Sequence, residues 1–165
     1  MILSEKENLV VFRICLATGI ITTSNIEKWA ISTYQKSEVL RIDYILELCS
    51  ANTLGINNTF SILKQEEDFS DKAKIKKLIY GIAGHLFRLN RISIKKATKL
   101  IDFTAAEINY EVTLEKDIDY YIDDMVYLAS QGIYNIDNII KEILDATKPY
   151  EKDGENFIKE NFNIN

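Results

Sequence analysis

The sequence predicts an all-α protein, a single-domain bundle of about eight helices built from antiparallel αα-hairpins. Apolar residues recur three and four positions apart through most of the 165-residue chain. One proline and six glycines are too few for the many tight turns of a β-sandwich or barrel. With 47% hydrophobic and 27% charged residues, the chain is long enough to bury one apolar core.

The first helix is predicted to begin at Ser4, whose hydroxyl can accept a hydrogen bond from a free backbone N–H. Glu7, three residues later, completes a capping box, and Gly19 ends the helix. Residues 9–17 are apolar nearly all round, which indicates a helix buried on several sides. The capping pattern recurs at Ser24 and opens a second helix.

Helices three to five follow from apolar spacing. A loop over residues 52–55 separates the third helix from a shorter fourth, and Asn90 ends the fifth, which has the clearest pattern. The apolar positions are Ile42, Ile45, Leu46 and Cys49 in the third helix; Ile56, Phe60 and Leu63 in the fourth; and Ile75, Leu78, Ile79, Ile82, Leu86 and Leu89 in the fifth.

The sixth helix is predicted to start after Ser93, and the seventh to open at Thr113 and stop at Gly132. The eighth cannot continue past Pro149, because proline lacks the N–H that a helix interior needs. Beyond this point the apolar pattern fades. We therefore predict a helical domain over residues 1–150 and a weakly helical or frayed extension over residues 151–165.

Three helix junctions look alike, at Gly19-Ile20, Asn90-Arg91-Ile92 and Gly132-Ile133. Each pairs a residue suited to a left-handed helix cap with a following aliphatic residue. Their spacing is unequal, and this favours αα-hairpins within one bundle over a stack of regular helical repeats.

Neither a signal sequence nor a catalytic motif is evident. The amino terminus lacks the basic-then-apolar order of a secretory signal, so we expect a cytoplasmic protein. His85 is the single histidine, and phosphate-binding glycine loops, nucleophile elbows and paired-cysteine motifs are missing from the sequence. We expect no catalytic residue, no cofactor and no metal site.

A run of acids interleaved with tyrosines is the feature best suited to binding. If the stretch is helical, most of the acids share a solvated face, with Tyr120 and Tyr127 nearer to them than Tyr121. Carboxylates can steer a basic partner, and aromatic rings add contact area. The alternatives are an ordinary solvated face and a divalent-ion site at Asp119 and Asp123. The candidate partner-binding residues are Glu115, Asp117, Asp119, Tyr120, Asp123, Asp124 and Tyr127.

The net charge of −5 hides a basic segment over residues 72–99, which holds nine bases and no acid and leaves 11 bases against 25 acids elsewhere. This segment spans a helix–turn–helix junction, so a DNA-binding regulator using Lys95, Lys96 and Lys99 is an alternative. The pI near 5.0 and the few base-reading side chains argue against nucleic acid.

Gly19-Ile20, followed by Asn25-Ile26-Glu27-Lys28-Trp29-Ala30 in a small acidic helical chain, resembles small all-helical immunity proteins of bacterial polymorphic and contact-dependent toxin systems. The resemblance implies a cytoplasmic protein that binds one cognate toxin domain, frequently a nuclease, and blocks its active site or substrate groove.

Our functional hypothesis is therefore an inhibitor that contacts a cationic toxin through the acidic tyrosine-containing surface. A second candidate surface is the acidic loop at Glu66, Glu67, Asp68 and Asp71. A non-enzymatic helical adaptor is a further alternative, because it too would lack catalytic residues.

Overall fold

The computed structural model describes residues 3–36, 43–109 and 111–162. The predicted all-α class is confirmed, because these residues form nine α-helices, one short 3-10 turn and no strand. Within the same ranges, no helix is both long and apolar enough to cross a membrane. The described residues divide into two compact units, unit 1 over residues 71–158 and unit 2 over residues 3–70 and 159–162.

Unit 2 is built around a helix that is buried along most of its length. Its helices are α1 (Glu5–Ala17), α2 (Thr23–Lys36), α3 (Asp43–Leu48) and α4 (Ala51–Glu66). The predicted capping box is confirmed, since Glu7 N donates to Ser4 Oγ at 3.2 Å and Ser4 N donates to Glu7 Oε2 at 2.7 Å. Residues 9–16 are all buried, as the largely apolar character of this stretch predicted, and the one charged residue among them, Arg13, is buried as well.

The loop predicted over residues 52–55 is wrong in its extent, because residues 52–54 are helical and Gly55 alone interrupts α4. The helix already begins at Ala51, but Gly55 has a φ of +78°, which breaks the regular helix there. Glycine tolerates this left-handed conformation because it has no Cβ. Ile42, predicted to belong to the third helix, lies outside the described residues.

Unit 1 is organised around one central helix, α5. The elements are α5 (Lys72–Arg88), α6 (Ile94–Glu107), α7 (Ile122–Ser130), α8 (Ile136–Thr147), the 3-10 turn (Lys148–Tyr150) and α9 (Glu151–Phe162), whose residues 151–158 belong to this unit. Helix α5 packs against α6, α8 and the 3-10 turn, while α7 packs against α6 and α8. Gly81 and Gly154 allow backbones to approach closely: a Cβ at Gly81 would lie 2.1 Å from the Tyr150 carbonyl oxygen.

The three predicted left-handed caps are confirmed. Gly19, Asn90 and Gly132 have φ values of 72°, 55° and 72°. After each cap, the next N–H donates to a carbonyl five residues earlier, in the pairs Ile20–Cys15, Arg91–Leu86 and Ile133–Leu128. The α5–α6 and α7–α8 pairs are the predicted kind of helical hairpin, because each pair packs together across such a turn.

Two predicted boundaries need correction. The seventh helix starts at Ile122 and not at Thr113, because residues 111–121 are not helical and bring Asp117 and Asp119 onto α5. The stretch predicted to be weakly helical or frayed is a regular helix over Glu151–Phe162. It is held by buried Phe157, Ile158 and Phe162, which are too few to give a strong periodic pattern in the sequence.

Candidate functional site

Two of the predicted partner-binding residues lie inside unit 1. The side chain of Asp117 is 6% exposed and that of Asp119 is fully excluded from solvent. Both contact Lys76, a fully buried lysine on the inner side of α5. The expectation that Asp117 and Asp119 stand on a solvated helix face is therefore wrong. Buried carboxylates need a charged or hydrogen-bonding partner, and Lys76 provides it for both.

Lys76 is the centre of this buried network. Its Nζ lies 2.6 Å from Asp119 Oδ2, forms a second ion pair with Asp117, and donates to the Val112 carbonyl at 2.7 Å. Tyr80, one turn further along α5, donates its hydroxyl to Asp117 Oδ1 at 2.6 Å. These contacts attach residues 112–119 to α5.

The network sets the protonation of its members. Burial opposes ionisation of Asp117, but hydrogen bonds from Lys76, Tyr80 and the Leu114 N–H outweigh burial and lower the pKa of Asp117 to about 2. Burial raises the pKa of Asp119 despite the neighbouring Lys76. Burial and the bond to Asp117 raise the pKa of Tyr80. The network holds residues 112–119 against α5. Because the side chains of Lys76 and Asp119 are not exposed to solvent, they offer no surface to a substrate.

The other predicted residues form an exposed surface. Tyr120 is 60% exposed and Tyr127 is 65% exposed. Asp123 and Asp124 are exposed on the first turn of α7, four and three residues before Tyr127, so the three side chains are neighbours on the helix. We call these four residues the acidic tyrosine face. Glu115 is also exposed, on the turn segment before α7.

A third acid, Asp102 on α6, adjoins the two acids of the acidic tyrosine face. Burial, followed by the charges of Asp123 and Asp124, raises the pKa of Asp102 on α6. Asp123 and Asp124 therefore lie close enough to Asp102 for their charges to disfavour its ionisation, in addition to the larger effect of burial. A cationic partner would offset the effect of these charges.

The helix that carries this face is thinly covered. All nine residues of α7 lie in the described part of the chain, and Ile122 is the one that is fully buried. At the following turn, Ile133 is 70% exposed. Exposed apolar and aromatic side chains rimmed by carboxylates are typical of a protein-binding surface.

The basic segment does not form one continuous surface. Lys76 is buried, Lys72 pairs with Glu111 at 2.6 Å, and Arg88 donates two N–H groups to Glu151 at 2.6–3.1 Å. Part of the segment therefore neutralises acids of its own unit. Lys95, Lys96 and Lys99 are exposed on α6, so DNA binding by this helix stays a prediction.

The second candidate surface is largely taken up by internal contacts. Within unit 2, Glu67 pairs with buried Arg13 at 2.5 Å, and Glu66 lies 3.6 Å from Lys6. Asp71 caps α5 by accepting from Lys74 N at 3.0 Å. Asp68 is exposed and accepts from Ser70 N at 2.9 Å. These roles make the acidic loop a weaker candidate than the acidic tyrosine face.

The histidine, the two cysteines and possible metal ligands give no further site in the part of the chain that the structure describes. Among the described residues, no three His, Cys, Asp or Glu side chains are grouped to hold a metal ion. His85 is half-buried on α5. Cys15 and Cys49 are free thiols, and burial raises the pKa of Cys15 to about 12, so Cys15 is a poor nucleophile.

No protein family, curated protein or solved structure matches this chain. The acidic tyrosine face and its surroundings are therefore the features of the molecule that bear on its function.

Proposed function

We propose that this chain is an immunity protein that binds and neutralises a cognate bacterial toxin domain, a cationic nuclease domain, through the acidic tyrosine face. The observation that carries the proposal is the exposed Tyr127 beside Asp123 and Asp124 on α7, with a second exposed tyrosine, Tyr120, just before that helix. The resemblance of the segment around Trp29 to small helical immunity proteins supports the same function.

Charge complementarity explains why a nuclease domain suits this surface. A nuclease presents bases to the phosphates of its substrate, so carboxylates on an inhibitor compete for the same groups. Asp102, Asp123 and Asp124 supply three such carboxylates close together. Their field also accelerates encounter with a basic partner.

The tyrosines supply the short-range part of binding. A tyrosine ring buries a large area on association and loses little conformational entropy, and tyrosine is enriched among interface residues that dominate affinity. Tyr127 is anchored on α7, and Tyr120 lies just before that helix. Asp117 and Asp119 act indirectly, by fixing the turn segment that leads into Tyr120.

The test is protection of cells that express the toxin domain encoded beside this chain. We expect the wild-type chain to restore growth, and the double variant Asp123→Lys and Asp124→Lys to lose protection while it stays folded. The matched control is Glu47→Lys with Glu160→Lys, which makes the same change in net charge at exposed positions in unit 2. Equal protection by both double variants would contradict the proposed surface, and a non-toxic neighbouring gene product would contradict the function.

The DNA-binding alternative is separated by a different variant. Replacement of Lys95, Lys96 and Lys99 by Glu should leave protection unchanged. If instead the wild-type chain binds duplex DNA with steep salt dependence, and this variant does not, the chain is a regulator and not an inhibitor.

A further inference from the structure

A small cleft opens in unit 1 next to the acidic tyrosine face. It has a volume of about 300 Å³, near the lower end of the range for ligand sites. Its walls come from residues 116–118, from Tyr121 and from one side of α8, where Glu142 and Asp145 stand three residues apart. Residues at this spacing lie on the same helix face, so both carboxylates line the cleft together.

Glu142 has an unmatched hydrogen-bonding atom. Its Oε2 is buried, and no donor within the described part of the chain bonds to it. Burial, followed by the neighbouring Glu142 carboxylate, raises the pKa of Tyr121. A buried carboxylate oxygen without a donor costs free energy, so a cationic donor close to the Glu142 carboxylate would be stabilising.

The charges around the cleft favour a cation. Lys76 already serves both Asp117 and Asp119, so it cannot also neutralise the carboxylates on α8. Lys116, which is exposed, is the base in the lining, against Glu142 and Asp145. Tyr121 is 40% exposed and adds an aromatic ring, a surface on which a guanidinium group stacks well.

We propose that this cleft receives one arginine side chain of the partner, which donates to Glu142 and Asp145 and stacks on Tyr121. The inference rests on the proposed function, and it identifies the cleft as the point at which the toxin domain is anchored. Arginine fits better than lysine because its planar guanidinium has five donors and can satisfy two carboxylates at once. Tyr121 directly follows Tyr120 and precedes Asp123, so the anchored arginine adjoins the acidic tyrosine face.

The cleft can be tested without the partner. The full chain, labelled with ¹⁵N, is titrated with N-acetyl-arginine amide and followed by NMR. N-acetyl-citrulline amide, which has the same shape without the charge, is the matched control ligand. We expect saturable shifts at Tyr121, Glu142 and Ala146 with the arginine probe and none with citrulline. An absence of shifts, or equal shifts with citrulline, would overturn the proposal.

Variants confirm where the probe binds. Glu142→Gln should weaken binding of the arginine probe roughly tenfold, since a charge-assisted hydrogen bond is lost. Asp137→Asn, an exposed acid on the first turn of α8, is the control and should have no effect. If Glu142→Gln does not fold, Asp145→Asn serves the same purpose. Unchanged binding in the folded variant, or equal affinity for N-acetyl-lysine amide, overturns the arginine assignment.

The two proposals fail in different ways. If the probe does not bind but protection still depends on Asp123 and Asp124, the anchor is wrong and the immunity function stands. If the probe binds in the cleft but the neighbouring toxin is not neutralised, the immunity function is wrong and the cleft stands as a guanidinium site.

Discussion

Lys76 Nζ lies 2.6 Å from Asp119 Oδ2, and neither side chain is exposed to solvent. Asp117 shares the same ammonium group, so one lysine serves two buried carboxyl groups. The network links α5 to the turn segment before α7 and so orients the residues that lead into the acidic tyrosine face. Its integrity is therefore expected to affect both stability and binding.

Lys76→Met should be strongly destabilising. Removal of the ammonium leaves Asp117 and Asp119 buried without their cation, and loss of one partner of a buried ion pair costs about 3–5 kcal/mol. Urea unfolding measures the loss. The neighbouring Lys77→Met, at a half-exposed position, should change stability by less than about 0.5 kcal/mol. Equal stability of the two variants would contradict a structural role for the network.

Asp117 should contribute a pH-dependent part of the stability. Its pKa falls from an ordinary 3.8 to about 2 on folding. The contribution is then fully present above pH 4, amounts to about 2 kcal/mol, and disappears as the pH drops towards 2. Asp119 acts in the opposite direction, because its raised pKa favours protonation in the folded state. A comparison of wild type with Asp117→Asn isolates the first effect.

Unfolding free energies of the two proteins, measured from pH 6 down to about pH 2, should differ most at the upper end and converge at the lower end. If the difference in unfolding free energy between wild type and Asp117→Asn stays constant across this pH range, the folded protein does not stabilise the ionised form of Asp117.

Local features were predictable because their causes lie within a few residues. The capping box at Ser4 and the left-handed caps at Gly19, Asn90 and Gly132 follow from side-chain chemistry and backbone freedom at single positions. The sequence therefore indicated eight of the nine helices in the described residues and the three left-handed junctions, but not the start of α7 or the regular helix α9.

The buried network was missed because its partners are about forty residues apart. Two signals were present. Lys76 and Lys77 both stand between the apolar residues Ile75 and Leu78, and Asp117 and Asp119 are two residues apart, which would place them about 200° apart on a helix. Such spacing is incompatible with one helix face, but only tertiary structure reveals that both residues point at the same lysine.

Gly81→Ala should be destabilising by about 3 kcal/mol, the upper part of the usual cost of overpacking. The added methyl would lie 2.1 Å from the Tyr150 carbonyl oxygen, so the backbone after α8 must move away from α5. Gly132→Ala is the control: its φ is +72° and the space around it is open, so it should cost about 1 kcal/mol from backbone strain alone. Thermal or urea unfolding ranks the two, and a reversed order would contradict the close approach at Gly81.

Tyr127→Ala should weaken binding of the toxin domain by tenfold or more, which is the usual effect of truncating a residue at the centre of an interface. The unfolding free energy should stay nearly unchanged. The reason is that Tyr127 is 65% exposed in the free chain and contributes little to the core. Calorimetric titration measures the affinity, and Tyr34→Ala, at a tyrosine that is 48% exposed on α2, is the control. Equal affinities of the two variants would remove Tyr127 from the interface.

The most direct test of the proposed function is the association rate constant with the neighbouring toxin domain, measured at low and high salt for the wild type and for Asp123→Lys with Asp124→Lys. Electrostatic steering by the acidic tyrosine face predicts a wild-type rate that falls steeply with salt. The double variant should associate at least tenfold more slowly at low salt and show little salt dependence. A rate that is the same in both proteins at both salt concentrations would contradict the proposal that this chain captures a cationic partner through that face.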